Sequence, residues 1–421
     1  MKPANILLIS PFFYPDAIST GKYNSVLVQA LVDRGATVKV VCSHPFYPAW
    51  RPVRSADRLD NVDIHRAGAG VRYPRSMILR RLVLEGWFAW HAGWTTWRLR
   101  SGCSTAVPVF PPTLFFLIVT SLLPASVKKI GVVHDLQGVL GLSGGSWLNR
   151  ALYRVVHAVE KKAFQSCDSL IVLSRGMAAR IVDEYALPSD RVVVRYPFVT
   201  VRSAIRIGTK LADKFPEGFQ HVVYSGALGK KQNPYGLLDF FRAAVSQFPG
   251  VHFHLFSDGP IFEQLRKRHL ACPEDRISFD GLVSEADLEE LYARSNVQLI
   301  PQLEDTSEAC LPSKLPNILA MGCAVLAICP SETELANILQ QTACGITADS
   351  WDLDVLIPKL RQVLGQAKSQ SPQQRQALAA PLLETEFSLE PLIDTVLAQY
   401  APARPPLSFS AAGPMRNDSS L

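Results

Sequence analysis

NILLISPFFYPDAISTGKYNSVLVQALVDRGATVKVVC, residues Asn5–Cys42, contains three segments with two different periods. Asn5–Ser10 is a short continuous apolar run, the pattern of a strand buried on both faces. Thr20–Gly35 repeats its apolar residues at helical spacing and stops on a glycine, and Thr37–Cys42 is apolar and β-branched again. Strand, helix and strand in this order make a β-α-β unit, which implies a parallel sheet.

The same alternation continues outward. Strands are expected at Ile130–Asp135, Ser169–Ser174 and Arg191–Tyr196, with a helix over LNRALYRVVHAVEKKAFQSC between the first two. The pattern then restarts: strands at His221–Leu228, Val251–Gly259, Ile277–Val283 and Val297–Gln302 are separated by helical stretches such as PYGLLDFFRAAVSQF and EADLEELYARS, and past Gly322 the apolar run emerges as a further strand ending at Cys329. The expected fold class is therefore α/β, with two doubly wound Rossmann-like domains facing across a cleft. The boundaries read as 1–204, 205–385, a terminal helix over 386–400 and a disordered tail over 401–421, whose composition cannot fill a core.

Length and composition agree. A chain of 421 residues with 48% apolar and 19% charged residues is ordinary globular material for two domains. The apolar run after Met1 is too short for a signal-peptide core, so a cytoplasmic protein is expected. Pro111–Val127 is too short to span a bilayer and reads as a buried helix. Eight scattered cysteines with no C-x-x-C pair suggest reduced core thiols, and no metal site is expected.

Charge is uneven. Residues 1–200 hold 24 Lys+Arg against 12 Asp+Glu, and residues 201–421 hold 19 against 25. Within the basic half, Arg72–Arg100 mixes six arginines with Trp87, Trp90, Trp94 and Trp97. Two readings stand side by side: peripheral contact with anionic headgroups at the inner membrane surface, or a helical pair with a tryptophan-lined core seam. No motif supports nucleic acid as a partner.

Neither a Walker loop nor the G-x-G-x-x-G fingerprint is present. Instead a strand runs into Gly226 and Gly229 beside Lys230 and Lys231, where close backbone approach and a point charge suit phosphate. In PSKLPNILAMG, Pro312 is expected to start a helix with Ser313 and Lys314 in its first turn. A lysine at the positive end of a helix makes sense if an anion lies between. The loop Asp16–Asn24 brings Gly21 to the start of the first helix, a third anion cradle, and His134 and Asp135 stand side by side at a strand end. That pair suits acid–base work or hydroxyl binding, although a structural contact is the commoner role for such a pair.

YSGALGKKQ, FSDGP, ISFDGLVSEADLEELYARSNVQLIPQ and PSKLPNILAMGCAVLA, in this order, resemble the C-terminal domain of glycosyltransferase family 4, with its GT-B fold. The N-terminal segment resembles the colanic-acid-type, exopolysaccharide-building branch. The resemblance covers residues 4–400. It implies retaining sugar transfer from a nucleotide diphosphate sugar, without metal or other cofactor, to an acceptor such as a polyprenyl-diphosphate-linked saccharide. It places Gly21 and Lys231 on the donor diphosphate, His134 near the reacting sugar, Leu282 near the base, and Ser313, Lys314 and Leu315 in the turn that holds phosphate. The branch suggests a GDP-fucose-like donor, with no residue of its own behind that suggestion. The family's two glutamates, eight positions apart, correspond here to Ala309 and Asn317, with Glu308 adjacent; Asn317 is left to bond a ribose hydroxyl. A non-hydrolysing nucleotide-sugar epimerase and a catalytically silent nucleotide-sugar-binding partner are the alternatives.

Overall fold

A computed structural model describes residues 4–16, 18–47, 49–136, 147–201, 208–303 and 311–398. The first sheet has seven strands, β1 Asn5–Ile9, β2 Thr37–Ser43, β3 Val62–Ala67, β4 Thr105–Phe110, β5 Lys128–Val133, β6 Ser169–Val172 and β7 Val192–Val194, in the order β3-β2-β1-β4-β5-β6-β7. The second has six, β8 Gln220–Ser225, β9 Val251–Ser257, β10 Ile277–Gly281, β11 Val297–Pro301, β12 Ala324–Ile328 and β13 Gly345–Ala348, in the order β10-β9-β8-β11-β12-β13. Every pairing is parallel.

Helices cover both faces of each sheet. In the first domain they are α1 Ser19–Asp33, α2 Met77–Leu99, α3 Thr113–Leu122, α4 Trp147–Gln165 and α5 Arg175–Tyr185. After β8 come α6 Pro234–Gln247, α7 Pro260–Leu270, α8 Leu288–Arg294, α9 Leu315–Ala320, α10 Glu334–Thr342, α11 Leu353–Ser369, α12 Pro372–Thr385 and α13 Glu390–Leu397. The double covering shows in single strands. Leu7 and Ile9 of β1 enter one core while Ile6 and Leu8 enter the other, and β12 divides Leu326 from Val325 and Ala327 in the same way. This is the α/β architecture of two facing Rossmann-like domains that the periodicity predicts.

Three strands escape the sequence reading. β3 is a half-buried edge carrying Asp63, His65 and Arg66, β4 contains Pro108, and β13 has four residues. Proline and edge charges both weaken a strand signal. Pro111–Val127 does form a packed helix, α3, with Phe115, Phe116 and Val119 buried. Among the described residues no helix is long and apolar enough to cross a membrane.

The Arg72–Arg100 stretch corrects one expectation. Its helical part is a single 23-residue helix, α2, rather than a pair, and of its four tryptophans Trp87 alone packs against the core. Trp87 is half-buried and donates to the Tyr73 hydroxyl at 2.8 Å, whereas Trp90, Trp94 and Trp97 are exposed.

The chain crosses between the domains twice. Past β7, the Thr200 and Val201 amides bond to the Asn317 side chain of the second domain. At the far end α13 returns, placing Ile393 and Val396 in the core with Leu27, Val28 and Leu31 of α1. The expected terminal helix thus belongs to the first domain's core. The expected boundary at 204/205 and the tail at 401–421 lie outside the described residues.

Candidate functional site

In an open parallel sheet, ligands bind beyond the strand carboxyl ends where the order reverses. Here the reversals fall at β1/β4 and at β8/β11. Gly21 and Lys231 lie past the strands at these two points and His134 just past the adjacent β5, whereas Leu282 follows the edge strand β10 and Asn317 meets the crossing between the domains.

On the first domain, the loop after β1 leads into α1, whose N-cap Ile18 offers no side-chain acceptor and whose first turn holds no acid. Its leading amides, through Gly21, therefore have no partners within the helix. A Cβ on Gly21 would stand 3.1 Å from the Asp16 carbonyl oxygen, so the loop closes tightly only around glycine. The buried Asp16 carboxylate accepts from the Tyr47 amide at 3.0 Å. Two residues of α1 reach the other domain: the Tyr23 hydroxyl donates to the Ser313 carbonyl at 2.9 Å, and Lys22 Nζ lies 3.6 Å from Glu285.

His134 sits just past β5, its amide donating to the Phe110 carbonyl at the end of β4 at 3.0 Å. Its ring has no hydrogen-bond partner among the described residues, and burial pushes its pKa down to about 4. The imidazole is therefore neutral at pH 7, suited to hydrogen bonding with a hydroxyl and not to acting as an imidazolium. The neighbouring Asp135 carboxylate lies 3.8 Å from Lys231 Nζ of the second domain.

On the second domain, Gly226 takes φ +137°, a region that L side chains rarely adopt. The glycine amides are already engaged. Gly226 donates to the Phe256 carbonyl at 3.1 Å, and Gly229 donates to Gln232 Oε1 at 2.9 Å. The amides between them, of Ala227 and Leu228, donate to no described residue. Lys231 follows in a short 3-10 turn, Lys230–Gln232, with its ammonium half-exposed toward the first domain.

The turn before α9 also departs from expectation. The helix begins at Leu315, so Ser313 and Lys314 precede it, and the Leu315 amide closes the turn onto the Pro312 carbonyl at 3.0 Å. Lys314 does not stand against the helix end with an anion between. Its ammonium turns onto the sheet, donating to the Leu299 carbonyl at 2.9 Å and the Ser225 carbonyl at 3.3 Å, 4.3 Å from the Tyr224 ring centroid. Those carbonyls belong to β11 and β8, so the cation bridges the switch point itself. With no carboxylate partner among the described residues, burial lowers its pKa to about 7.

The Asn317 side chain is buried and turned toward the crossing between the domains. Its Oδ1 accepts from the Thr200 amide at 2.7 Å and the Val201 amide at 3.3 Å, and its Nδ2 donates to Thr200 Oγ1 at 3.0 Å. Glu308 and Ala309 lie outside the described residues. Leu282, half-exposed, is on the loop after β10 that continues to Glu285, beside α1. A separate cavity of about 530 Å³ opens at the ends of β2 and β3, lined by His44, Arg54, Ser55 and the Ala67–Gly70 backbone. Among the described residues no cluster of three or more His, Cys, Asp or Glu is placed to hold a metal ion.

Sequence reasoning missed Tyr23, Glu285 and Tyr224. Tyr23 stands two residues past Gly21 with nothing local to mark it, because its partner is 290 positions away.

The comparisons with known proteins follow the same division. Residues 20–197 match the family model described as a glycosyl transferase 4-like domain, and residues 220–366 match that of the glycosyl transferases group 1. WcaI of Escherichia coli strain K12, which carries the name of a colanic acid biosynthesis glycosyl transferase, is 23% identical over 379 residues, covering 85% of this chain and 92% of its own. Among solved structures, WaaG, a glycosyltransferase involved in lipopolysaccharide biosynthesis, superposes with a TM-score of 0.66 at 14% identity, covering 93% of this chain and 99% of its own. Sucrose-phosphate synthase from Thermosynechococcus elongatus gives 0.68 at 18% identity, covering 94% and 98%. These structural likenesses carry the two-domain GT-B fold, and the matches of both halves carry the family: the chain belongs to the family 4 glycosyltransferases.

Proposed function

We propose that this glycosyltransferase moves a sugar, with retention at the anomeric carbon, from a nucleoside diphosphate sugar to a lipid-linked saccharide during synthesis of an extracellular or surface polysaccharide. The carrying observation is the approach of Lys231 Nζ to within 3.8 Å of Asp135. It brings the cation of one domain to the strand end where the neutral His134 of the other stands.

In this reading the diphosphate lies between the leading amides of α1, around Gly21, and the Ala227–Leu228 amides, and Lys231 exchanges Asp135 for a phosphate oxygen. The bond from the anomeric carbon to the diphosphate breaks, the bond to the acceptor oxygen forms, and the acceptor proton ends on a leaving phosphate oxygen. Charge building on the leaving group meets dipoles already in place, which cost no reorganisation at the moment of reaction. His134 bonds a sugar hydroxyl, Leu282 lies against the base, and the Ser313–Lys314–Leu315 turn backs the phosphates, with the Lys314 charge beneath them. The reading calls for no metal, so EDTA leaves the rate unchanged.

The resemblance to the colanic-acid-type branch, with no residue of its own behind the choice, makes a GDP-fucose-like sugar the first donor to try. The test incubates the full chain with GDP- and UDP-sugars and a polyprenyl-diphosphate-linked saccharide, following nucleotide release and product mass. One donor is expected to turn over, with a loss of about 100-fold or more in Lys231→Ala. Turnover that is unchanged in Lys231→Ala and His134→Ala overturns the assignment of the cleft.

A further inference from the structure

One long surface of the first domain is left without a partner. Helix α2, about 34 Å long at 1.5 Å per residue, buries Leu84, Phe88, Ala89 and Ala92 on one side. Along the other side run Leu79, Leu82, Trp90, Trp94 and Trp97, at spacings of three, eight, four and three that keep them on one face. Trp90 is 74% exposed and the neighbouring Ile78 70%, far from the usual condition of such side chains. Trp94 and Trp97 stack on each other at 5.6 Å, and Arg100 lies 5.6 Å from the Trp97 ring.

The charge around this face has one sign. Arg72, Arg75 and Arg98 flank it, exposed and without an ion pair among the described residues. The single acid of α2, Glu85, is turned away, its carboxylate capping α3 through the Thr113 and Leu114 amides at 3.0 and 2.8 Å. An exposed apolar ridge with three indoles, basic ends and no outward carboxylate matches an anionic bilayer surface, where indole rings settle at headgroup depth and arginines meet phosphates. A second copy of the same face would set like charges against each other.

The face also connects to the site. Near the start of α2, the Arg80 guanidinium lies 4.4 Å over Trp50, which packs on Phe46 at 5.3 Å, and Phe46 precedes Tyr47, whose amide holds Asp16 beside α1. We infer that the outward face of α2, from Leu79 to Trp97, is the surface by which this protein seats on an anionic membrane, with the start of α2 toward the mouth of the cleft. The inference extends the lipid-linked acceptor of the proposed function and names the surface that brings the enzyme to it.

The test is flotation of the full-length protein with vesicles of phosphatidylcholine alone and of phosphatidylcholine mixed with phosphatidylglycerol, with tryptophan emission recorded in parallel. Binding only to the anionic vesicles, with a blue shift, is expected. Trp90→Ser/Trp94→Ser/Trp97→Ser should lower the partition coefficient by more than about tenfold and Arg75→Gln/Arg98→Gln by several-fold, at unchanged melting temperature, since all five side chains are exposed. Absence of flotation, equal flotation of the triple variant, or a wild-type dimer that this variant dissociates in light scattering overturns the inference. A water-soluble acceptor analogue separates the two claims: the triple variant should still glycosylate it, and a wild type that floats without transferring sugar removes the proposed reaction while leaving the docking face.

Discussion

The Tyr23 hydroxyl, near the start of α1, donates to the Ser313 carbonyl at 2.9 Å and so ties the first helix of one domain to the turn before α9 in the other. The ring is buried edge-on to Phe198 at 4.7 Å, and burial raises the phenol's pKa, so it remains a donor throughout the working range. Tyr23→Phe keeps the ring packing and removes the tie. It should cost about 1 kcal/mol in stability and raise the KM for donor several-fold, because the two halves of the site are no longer held in register. Denaturant melts and donor titrations check this, and an unchanged KM would make the contact merely structural.

Lys314 carries a pH signature. Its folded pKa of about 7 lies below its ordinary value of 10.5, so between these limits the unfolded chain binds the extra proton. Stability conferred through this residue therefore rises with pH from 7 toward 10.5, by at most about 1.4 kcal/mol per pH unit, and is flat below 7. Lys314→Met should lose that slope. Urea melts of both proteins from pH 6 to pH 10 read it directly, and parallel slopes would refute the buried ammonium.

A second titration lies away from the cleft. His221 Nδ1 and His254 Nε2 are 2.9 Å apart, His252 stacks on His254 at 4.5 Å, and burial is the first cause lowering all three pKa values, His221 to about 4 and His254 to about 2. Unfolded histidines protonate near pH 6.5 and these resist, so stability should fall as pH drops from 6.5 toward 4. His252 Nε2 is buried without a hydrogen bond. His252→Phe should therefore be tolerated and should shallow the acid slope, as measured by melting temperature against pH.

Asn317→Ala removes the acceptor of two backbone amides and the donor to Thr200 Oγ1 at the crossing between domains. A loss of about 2 kcal/mol is expected, with donor affinity changed much less than in Lys231→Ala. If donor affinity falls and stability does not, the side chain binds ribose after all.

Gly226→Ala places a Cβ at φ +137° in open space, so any penalty is backbone strain rather than collision. About 1 kcal/mol or more of destabilisation, with weaker nucleotide binding as the Ala227 and Leu228 amides shift, is the expected result by calorimetry.

Local pattern by itself determined the fold class and most of the strands and helices that build it. A continuous apolar strand, a 3.6-residue period and a glycine stop are short-range features, and they carried Asn5–Cys42 and the restart at His221 to two parallel sheets, with Gly21 and Ser313 by helix starts and His134 and Lys231 past strand ends. It failed where a residue's partner is far along the chain. Whether Asn317 faces a ribose or the Thr200 amide, whether the Lys314 ammonium faces a helix end or the β8/β11 carbonyls, and whether Trp90 lies in a core or in the open depend on which surfaces the folded chain brings together. Only the tertiary structure decided these, because a side chain's hydrogen bonds and burial are set by neighbours in space, while periodicity reports only which face of its own element it occupies.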